Sequence, residues 1–465
     1  MPLILGTNSI KDTGYNVANS VRFNRGDSPK MSKTLGTPSD ADKFTFSAWV
    51  KLTDFGTDRF ILSLYTDDNN ETAINFENGN SINFYNYISG SYAGRLVPSQ
   101  KLRDPSSWYH LVAVFDSGNA TAGNRMRLYL NGSEITSFAT DSNPSQDQDS
   151  KNASGVTCVV GRSGTDDYNF GGYMAEVVFI DGSALTPTSF GEFDEDSPTI
   201  WKPKDVSGLT FGNNGFYLDF EDSSNLGNDV NGGTDLTEAN LAATDQSIDT
   251  CTNNFAVMNP LDNYYANSTF SEGNLKIATV SGNAAYNPAT FGLTTGKWYF
   301  EVKPTSCGDA QERNIIGISN QSPVAAGYDG SIVIGDGFGL RGNGKMWDGS
   351  SETSGWNSFD AGDIVSVAVD FDNGKFYTAT NGTYGNSSNP STGSNGYSFT
   401  VGTKPWFPGV NCRETSQTAT FELDFGSAPY AISSGNADAN GYGNFEYAVP
   451  SGFYSINSKN LAEFG

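Results

Sequence analysis

Apolar and polar residues alternate with a period of two along much of the chain, and helical periodicity is hard to find. In segment 44–52, one face is shared by Phe44, Phe46, Ala48, Val50 and Leu52. This alternation is typical of a half-buried β-strand. Further alternating or fully apolar segments lie at residues 59–65, 73–76, 108–116, 126–130 and 172–181. With Gly- and Asn-rich turns between them, these segments predict a β-sandwich over about residues 20–195.

A second group of strand-like segments follows at residues 298–303, 314–318, 364–371, 375–380, 421–425 and 452–456. Two Asn-Gly pairs, at 373–374 and 381–382, punctuate this group, and Asn-Gly is a strong signal of a tight hairpin turn. The pattern therefore predicts a second sandwich. The predicted fold class is all-β, with two β-sandwich domains joined by an ordered connector.

The segment between the two groups contains Pro198, Pro203 and many polar residues, but also the apolar stretch 215–220. Aromatic side chains need apolar surroundings, so we interpret the segment as an ordered connector and not as a flexible linker. The predicted organisation is an N-terminal arm at 1–20, a first sandwich at 21–196, the connector at 197–258 and a second sandwich at 259–465.

The charge balance narrows the choice of partners. Asp and Glu total 52 against 27 Lys and Arg, which gives a formal net charge of −25. This field repels phosphate backbones, so we expect no nucleic-acid partner.

No apolar run approaches the roughly 20 residues that cross a bilayer, and residues 1–6 lack the basic start of a secretory signal, so we expect neither membrane insertion nor signal-dependent export. The four cysteines lie far apart, which disfavours a zinc site and predicts buried free thiols.

The first half of the chain carries four motifs in order, at residues 44–50, 108–114, 128–132 and 171–177. They resemble the motifs of a laminin-G-like jelly roll of the concanavalin A-like class. The second half is similar to a SPRY domain through residues 298–302, 362–370, 372–375, 381–382 and 406–410. These resemblances imply a jelly roll followed by a SPRY-like sandwich.

The whole chain also resembles virion-associated proteins of marine bacteriophages. This resemblance is carried by segments 2–10, 14–17, 21–24, 200–204, 215–229 and 450–465. It implies a structural protein that is made in the host cytoplasm and localised in the virion, as a fibre or appendage with other virion proteins as partners. Such proteins are usually symmetric, so we expect a homo-oligomer. The resemblance also implies binding of a host-surface glycan or receptor, with the arm at 1–20 as the particle-docking segment.

Catalytic chemistry finds little support in the sequence, and we expect no enzyme activity. Glu422 and Asp424 alternate on a predicted strand, as the carboxyls of a glycosidase do, but no third carboxylate follows Phe425. The acids of segment 192–196 come after the last strand of the first group. The one histidine, His110, has apolar neighbours and is predicted to be a core residue. Two alternatives stay open: a polysaccharide-degrading depolymerase on the concanavalin A-like fold, and a purely architectural capsid or tail protein without a ligand.

Loop aromatics and rim carboxylates are the candidate sites. The ligand-binding candidates in the second half are Tyr328, Arg341, Trp347 and Trp356, because aromatic rings stack on sugars and a guanidinium adds directed donors. Calcium is the one cofactor that we leave as a candidate, since rim acids of laminin-G-like domains often bind it. The predicted ligands are Asp116, Asp166 and Asp167.

Overall fold

The computed structural model describes residues 14–262, 268–279, 286–308, 313–320, 337–412 and 418–465. The described residues separate into two compact units, 14–252 and 253–465. Both units are built almost entirely of β-strands, so the predicted fold class is confirmed. In the described part of the chain, no helix is long and apolar enough to cross a membrane.

The first unit contains eighteen strands. They are β1 (Ser20–Phe23), β2 (Lys30–Thr34), β3 (Lys43–Leu52), β4 (Arg59–Asp67), β5 (Asn70–Phe76), β6 (Ile82–Ile88), β7 (Ser91–Pro98), β8 (Trp108–Asp116), β9 (Met126–Leu130), β10 (Ser133–Glu134), β11 (Phe138–Ser142), β12 (Thr157–Val160), β13 (Gly172–Asp181), β14 (Gly191–Phe193), β15 (Trp201–Pro203), β16 (Phe216–Leu218), β17 (Thr237–Ala239) and β18 (Gln246–Ser247). Short 3₁₀ turns lie at Arg25–Asp27, Ala122–Asn124, Pro187–Ser189 and Ala243–Asp245.

Two eight-stranded sheets form the first sandwich. Sheet A has the order β10-β9-β8-β3-β13-β1-β18, with β16 also paired to β13, and sheet B has the order β11-β7-β6-β5-β4-β12-β2-β17. The alternating apolar residues of both sheets face each other. Phe44 of sheet A, for example, meets Phe84 of sheet B edge to face, with ring centroids 6.1 Å apart. Each large apolar side chain removed from water contributes about 1.5–3 kcal/mol, so the alternation decides which face of each strand turns inward.

Residues 197–252 of the predicted connector are part of the first unit, and residues 253–258 belong to the second. This corrects the domain organisation. The connector strands β16, β17 and β18 pair with β13, β2 and β1. Phe216 and Leu218 are fully buried in the sandwich core. Farther along, Asp249 accepts a hydrogen bond from Lys51 at 2.7 Å, and both side chains are buried. The aromatics of the segment are buried, as predicted, but against the first sandwich itself.

The predicted N-terminal arm is only partly visible, because residues 1–13 lie outside the described residues. The remainder of the arm packs on the first unit. Val17 is buried in an aromatic cluster with Trp49 and Trp108 on the outer face of sheet A. The Val17 N–H donates to the Thr252 hydroxyl at 3.1 Å. Residues 14–19 therefore belong to the sandwich.

The second unit contains fifteen strands among its described residues. They are β19 (Thr269–Ser271), β20 (Lys276–Ala278), β21 (Asn287–Pro288), β22 (Lys297–Ser306), β23 (Asn314–Ser319), β24 (Phe338–Arg341), β25 (Met346–Trp347), β26 (Glu352–Thr353), β27 (Val365–Asp370), β28 (Lys375–Thr380), β29 (Thr383–Tyr384), β30 (Tyr397–Ser398), β31 (Phe407–Cys412), β32 (Thr420–Asp424) and β33 (Tyr454–Ser455). Short 3₁₀ turns lie at Gly385–Ser387 and Pro390–Thr392, and a terminal helix α1 spans Ser458–Phe464.

Sheets C and D form the second sandwich. In the described residues, sheet C has the order β19-β20-β32-β22-β27-β28-β29, with β30 paired to β28 and β33 to β22. Sheet D has the order β21-β31-β23-β24-β25-β26. Trp298, Phe300 and Val302 of β22 turn into the core, as their alternation predicts. The sequence analysis did not predict α1, where the Asn457 side chain caps the helix by accepting from the Asn460 N–H at 2.9 Å.

Candidate functional site

Three of the four predicted ligand-binding residues lie in the described part of the second unit, and they do not share one exposed surface. Tyr328 lies outside the described residues. Trp356 is only 7% exposed and belongs to the core between sheets C and D. The prediction for Trp356 is therefore wrong, because the Gly- and Ser-rich stretch that carries it folds back over the sandwich and buries the large apolar ring.

Arg341 and Trp347 do lie together, on neighbouring strands of sheet D. The guanidinium of Arg341 is 4.1 Å from the centroid of the Trp347 ring. It also donates to the carboxylate of Glu352, which accepts from Lys345 at 2.6 Å as well. One face of the indole and part of the guanidinium are thus already engaged within the sheet.

The three predicted calcium ligands lie at two different ends of the first sandwich. Asp116 ends β8 opposite Lys43, the first residue of β3. Asp166 and Asp167 lie in the turn before β13, beyond the other end of β3. The two ends of β3 are about 30 Å apart, because the strand has ten residues. Asp166 also accepts from Lys30 at 2.6 Å. The prediction of one shared site is therefore wrong for this set.

The rim around Asp116 holds other acids. Asp147 lies near Asp116, because a side-chain oxygen of each comes within 4.0 Å of the position that a Cβ on Gly118 would take. Burial and the neighbouring Asp149 raise the pKa of Asp42 at the same rim. Nevertheless, the described residues contain no group of three or more His, Cys, Asp or Glu placed to hold a metal ion. Calcium binding stays a prediction without an assigned ligand set.

His110 is a core residue, as predicted. Its Nδ1 accepts from the Trp201 indole N–H at 2.9 Å, and its Nε2 lies 2.8 Å from the Ser47 hydroxyl. The ring also stacks on Trp49, with centroids 4.8 Å apart. Burial lowers the pKa of His110 to about 3, so the imidazole is neutral near pH 7. Both ring nitrogens are therefore engaged, Nδ1 with Trp201 of β15 and Nε2 with Ser47 of β3.

The pair Glu422 and Asp424 lies on the outer face of sheet C, together with a third carboxylate that the sequence analysis missed. Glu301 of β22 is directly opposite Asp424 in the strand register. The side chains of Glu301 and Asp424 are fully buried, and Glu422 pairs with Lys276 at 3.0 Å. Burial raises the pKa of both Glu301 and Asp424. The signal in the sequence was the alternation of β22, which places Glu301 on the face opposite to Phe300.

The outer face of sheet B carries aromatic side chains that the sequence analysis did not single out. Alternation along β6 turns Ile82 and Phe84 into the core and leaves Asn83, Tyr85 and Tyr87 on the outer face. Aromatic residues of β4, β7 and the turn before β13 join them. We name this set the aromatic band, and its members are Phe60, Tyr85, Tyr87, Tyr92 and Tyr168.

The rings of the aromatic band are in continuous contact across the sheet. Tyr92 meets Tyr85 and Tyr87 edge to face, with centroids 5.7 Å and 5.0 Å apart. Tyr85 and Phe60 pack over Ala73 in one apolar cluster, and Phe60 contacts Tyr168 at 6.1 Å. Tyr92 and Tyr168, at the two ends of the band, are each 50% exposed.

The turn that carries Tyr168 is held against β4 by a glycine. The Gly164 N–H donates to the Ser63 hydroxyl at 3.2 Å. A Cβ on Gly164 would come within 2.1 Å of the Tyr65 Cβ, so only glycine allows this approach. The Phe60 N–H then donates to the Tyr168 carbonyl at 3.1 Å. These contacts place Tyr168 beside Phe60.

Polar side chains fix the other rings of the aromatic band. Glu71 accepts from the Ser63 hydroxyl at 2.6 Å and from the hydroxyl of Tyr85. Arg95 donates from Nε to Asn83 at 3.1 Å and pairs with Glu77, and its guanidinium lies 4.6 Å from the centroid of the Tyr92 ring. The band therefore combines pre-oriented aromatic rings with adjacent amide and carboxylate groups, which is a surface suited to a flat, hydroxyl-bearing ligand.

Comparison with known proteins supports the fold of the first unit. A family model described as the concanavalin A-like lectin/glucanases superfamily matches residues 26–189. No curated protein matches the chain at a significant level. Residues 26–189 of the first unit are thus similar to this superfamily, and every residue of the aromatic band lies within the matched range.

Solved structures with related folds have low similarity to the chain. The SPRY domain of human HERC1 is 17% identical, covering 36% of this chain and 96% of that chain, with a TM-score of 0.30. The LG4-5 domains of the mouse laminin α1 chain are 8% identical, covering 95% and 98%, with a TM-score of 0.30. The CBM40 of Ruminococcus gnavus IT-sialidase, bound to α2,3-sialyllactose, is 16% identical, covering 34% and 94%, with a TM-score of 0.25.

Proposed function

We propose that the chain is a non-enzymatic glycan-binding protein whose binding surface is the aromatic band of the first unit. The observation that carries this proposal is the pair of half-exposed rings, Tyr92 and Tyr168, at the two ends of one packed aromatic cluster. An aromatic face stacks on the apolar face of a sugar ring at low cost in side-chain entropy. The match of residues 26–189 to a family model that includes lectins supports the same class of ligand.

The non-enzymatic part of the proposal is supported by the state of the carboxyl groups. Glycoside hydrolysis needs two carboxyls that flank a bound sugar and reach it, one as an acid and one as a nucleophile or base. Glu301 and Asp424 have no exposed surface. On the aromatic band, Glu71 already accepts two hydroxyl groups and Glu77 pairs with Arg95. If incubation of the chain with bacterial and algal polysaccharides releases new reducing ends, the depolymerase hypothesis replaces this one.

We further propose that the chain is a fibre or appendage protein of a phage particle, present as a homo-oligomer. The support is the resemblance described above, and all of its segments except 2–10 lie in the described residues. Repetition on a particle would make a shallow site effective, because linked copies raise the overall avidity by about 10²–10⁴. Antibody-gold labelling of purified particles should decorate one type of appendage. Absence of the chain from washed particles would contradict the virion assignment.

The binding proposal is tested on a glycan array with the full-length chain. We expect a small set of glycans to bind the wild type. The double variant Tyr92→Ala/Tyr168→Ala should lose about fivefold to a hundredfold in affinity, since each stacking contact contributes roughly 0.5–1.5 kcal/mol. The matched control is Phe193→Ala, which removes a 43%-exposed aromatic ring from the β14–β15 ribbon of the same unit. A chain that binds no glycan would favour the architectural alternative.

A further inference from the structure

The two exposed ends of the aromatic band are far apart on sheet B. Tyr92 is opposite Tyr87, which is opposite Glu71 on β5. Tyr168 contacts Phe60 on β4, and Phe60 is opposite Asn75, four residues farther along β5 than Glu71. Three strand spacings and a four-residue offset separate the ends by roughly 19 Å. A single sugar ring cannot contact both Tyr92 and Tyr168.

The aromatic rings of Phe60 and Tyr85 between these ends are buried and form the base of the band. Phe60 and Tyr85 lie over Ala73 in the middle of the band, and Tyr85 contacts Tyr92. The small Ala73 side chain lets both rings lie low on the sheet, and each keeps only 7–8% of its surface exposed. The middle of the band is therefore low, while its two ends project. A ligand that stacks on both Tyr92 and Tyr168 therefore runs diagonally across the strands of sheet B.

The charges around the aromatic band are mostly negative. Residues 58–95 and 161–170, which form the band and its turns, contain seven Asp or Glu against three Lys or Arg. Arg59 is fully buried. Arg95 pairs with Glu77, and Arg162 lies 3.7 Å from Asp166. The basic groups near the band are thus buried or paired, so they offer little attraction to sulfate or carboxylate groups on a ligand.

These observations point to a class of ligand. We propose that the aromatic band takes a neutral, extended oligosaccharide of roughly four units or more, a length that follows from the 19 Å separation of its ends. This inference rests on the proposed glycan-binding function. A polyanionic glycan such as a sulfated galactan or a polyuronate meets unfavourable charge at every turn of the band, in a chain whose net charge is −25.

Titration calorimetry with defined oligosaccharides tests the ligand class. The probes are glucan, mannan and galactan oligosaccharides of one to six units, each with a sulfated counterpart, and a matched series of oligouronates. For at least one neutral series, we expect affinity to rise with length up to about four units and then to level off. We expect the sulfated counterpart to bind at least tenfold more weakly and to improve at higher salt, since salt screens repulsion.

Single variants test whether the ligand extends across sheet B from Tyr92 to Tyr168. Tyr92→Ala and Tyr168→Ala should each weaken binding of the six-unit oligosaccharide several-fold while reducing the dependence on length, and Phe193→Ala should leave both unchanged. Tighter binding of the sulfated or uronate series, or equal affinity for one unit and for six, would overturn the inference but keep the glycan-binding function. Absence of binding to all the series, together with a blank glycan array, would overturn both.

Discussion

The aromatic band of the first unit and the outer face of sheet C in the second unit are built from the same kind of side-chain pair. In the first, the Tyr85 hydroxyl donates to Glu71. In the second, the Tyr299 hydroxyl donates to Glu301 at 2.7 Å. Both pairs lie on the outer face of a sheet whose inner face is mostly apolar. The two faces nevertheless have different roles.

The difference lies in what covers each face. On sheet C, the segment 426–453 runs over the strands: Phe445 packs edge-on against Tyr299 at 5.0 Å, and the N–H groups of Glu446 and Tyr447 donate to Glu301. On sheet B, the ends of the aromatic band stay half exposed. The same strand chemistry therefore holds a covering segment in one unit and leaves two rings half exposed in the other. The predictions below test this contrast.

Glu301→Ala should have the largest effect. It leaves the hydroxyl of Tyr299 and two backbone N–H groups without their acceptor, and each buried donor left unsatisfied costs about 1–3 kcal/mol. We expect the free energy of unfolding of the second unit to fall by about 3–5 kcal/mol in urea denaturation. The matched change Glu71→Ala, on the half-exposed face, should cost about 1 kcal/mol or less. Equal costs would remove the distinction between the two faces.

A rise in pH should destabilise the packing of residues 426–453 on sheet C. Burial, with Glu301 beside it, raises the pKa of Asp424 well above its ordinary value, and the other titratable groups near it are Glu422, Tyr430 and Glu446. The covered state therefore holds a proton that the open state releases, so its stability falls by up to about 1.4 kcal/mol per pH unit as pH rises.

Hydrogen exchange in residues 426–453 should therefore increase beyond the intrinsic chemical rate as pH rises above the ordinary pKa of an aspartate, about 4. Asp424→Asn keeps the shape of the side chain without the ionisation, so it should flatten this dependence. Residues 82–98, which form β6 and β7, serve as the internal control. An identical pH response in both segments would contradict the prediction.

Acid pH should weaken the first unit through His110. The pKa of His110 is lowered to about 3 by burial, whereas the unfolded chain takes up the proton near pH 6.5. Unfolding therefore binds a proton between these values, and the free energy of unfolding falls by up to about 1.4 kcal/mol per unit as pH drops. His110→Gln, although less stable at pH 7, should show a shallower loss between pH 6.5 and pH 4 in thermal unfolding. An unchanged slope would show that His110 does not contribute.

The smallest effect on stability should come from the exposed ends of the aromatic band. Tyr92→Ala and Tyr168→Ala each remove a ring that is already half in water, so we expect changes in the free energy of unfolding within about 0.5 kcal/mol. Their cost should appear in ligand binding instead. Losses above about 2 kcal/mol in urea denaturation would make these rings structural and would weaken the case for a binding surface.

Much of the fold could be predicted from the alternation of apolar residues, because burial of one strand face is a local property of the sequence. The core positions of β3, β8 and β22 follow from it directly. The connector could not be placed in the same way. Its strands β16, β17 and β18 complete sheets whose other strands lie far away in sequence, and a short apolar stretch does not reveal which edge it will pair with.

The candidate site was predicted less well than the fold. Trp356 was chosen because its neighbours are Gly and Ser, yet the ring is in the core. Tyr92 and Tyr168 were not chosen, because each is a lone aromatic in a polar turn or hairpin when only its neighbours in sequence are considered. The contact between Tyr168 and Phe60 depends on Gly164, because only glycine lets the turn between β12 and β13 approach β4 so closely.

The sequence by itself determined that this chain is all-β, acidic and organised in two sandwiches, because periodicity and composition act locally and additively along the chain. Tertiary structure alone decided which outer face is covered and which is open. Glu71 and Glu301 occupy similar positions on their strands, and only the path of residues 426–453, held by backbone donors to Glu301, makes one of them a buried anchor. Such coverage depends on contacts between residues more than a hundred positions apart, which no local pattern encodes.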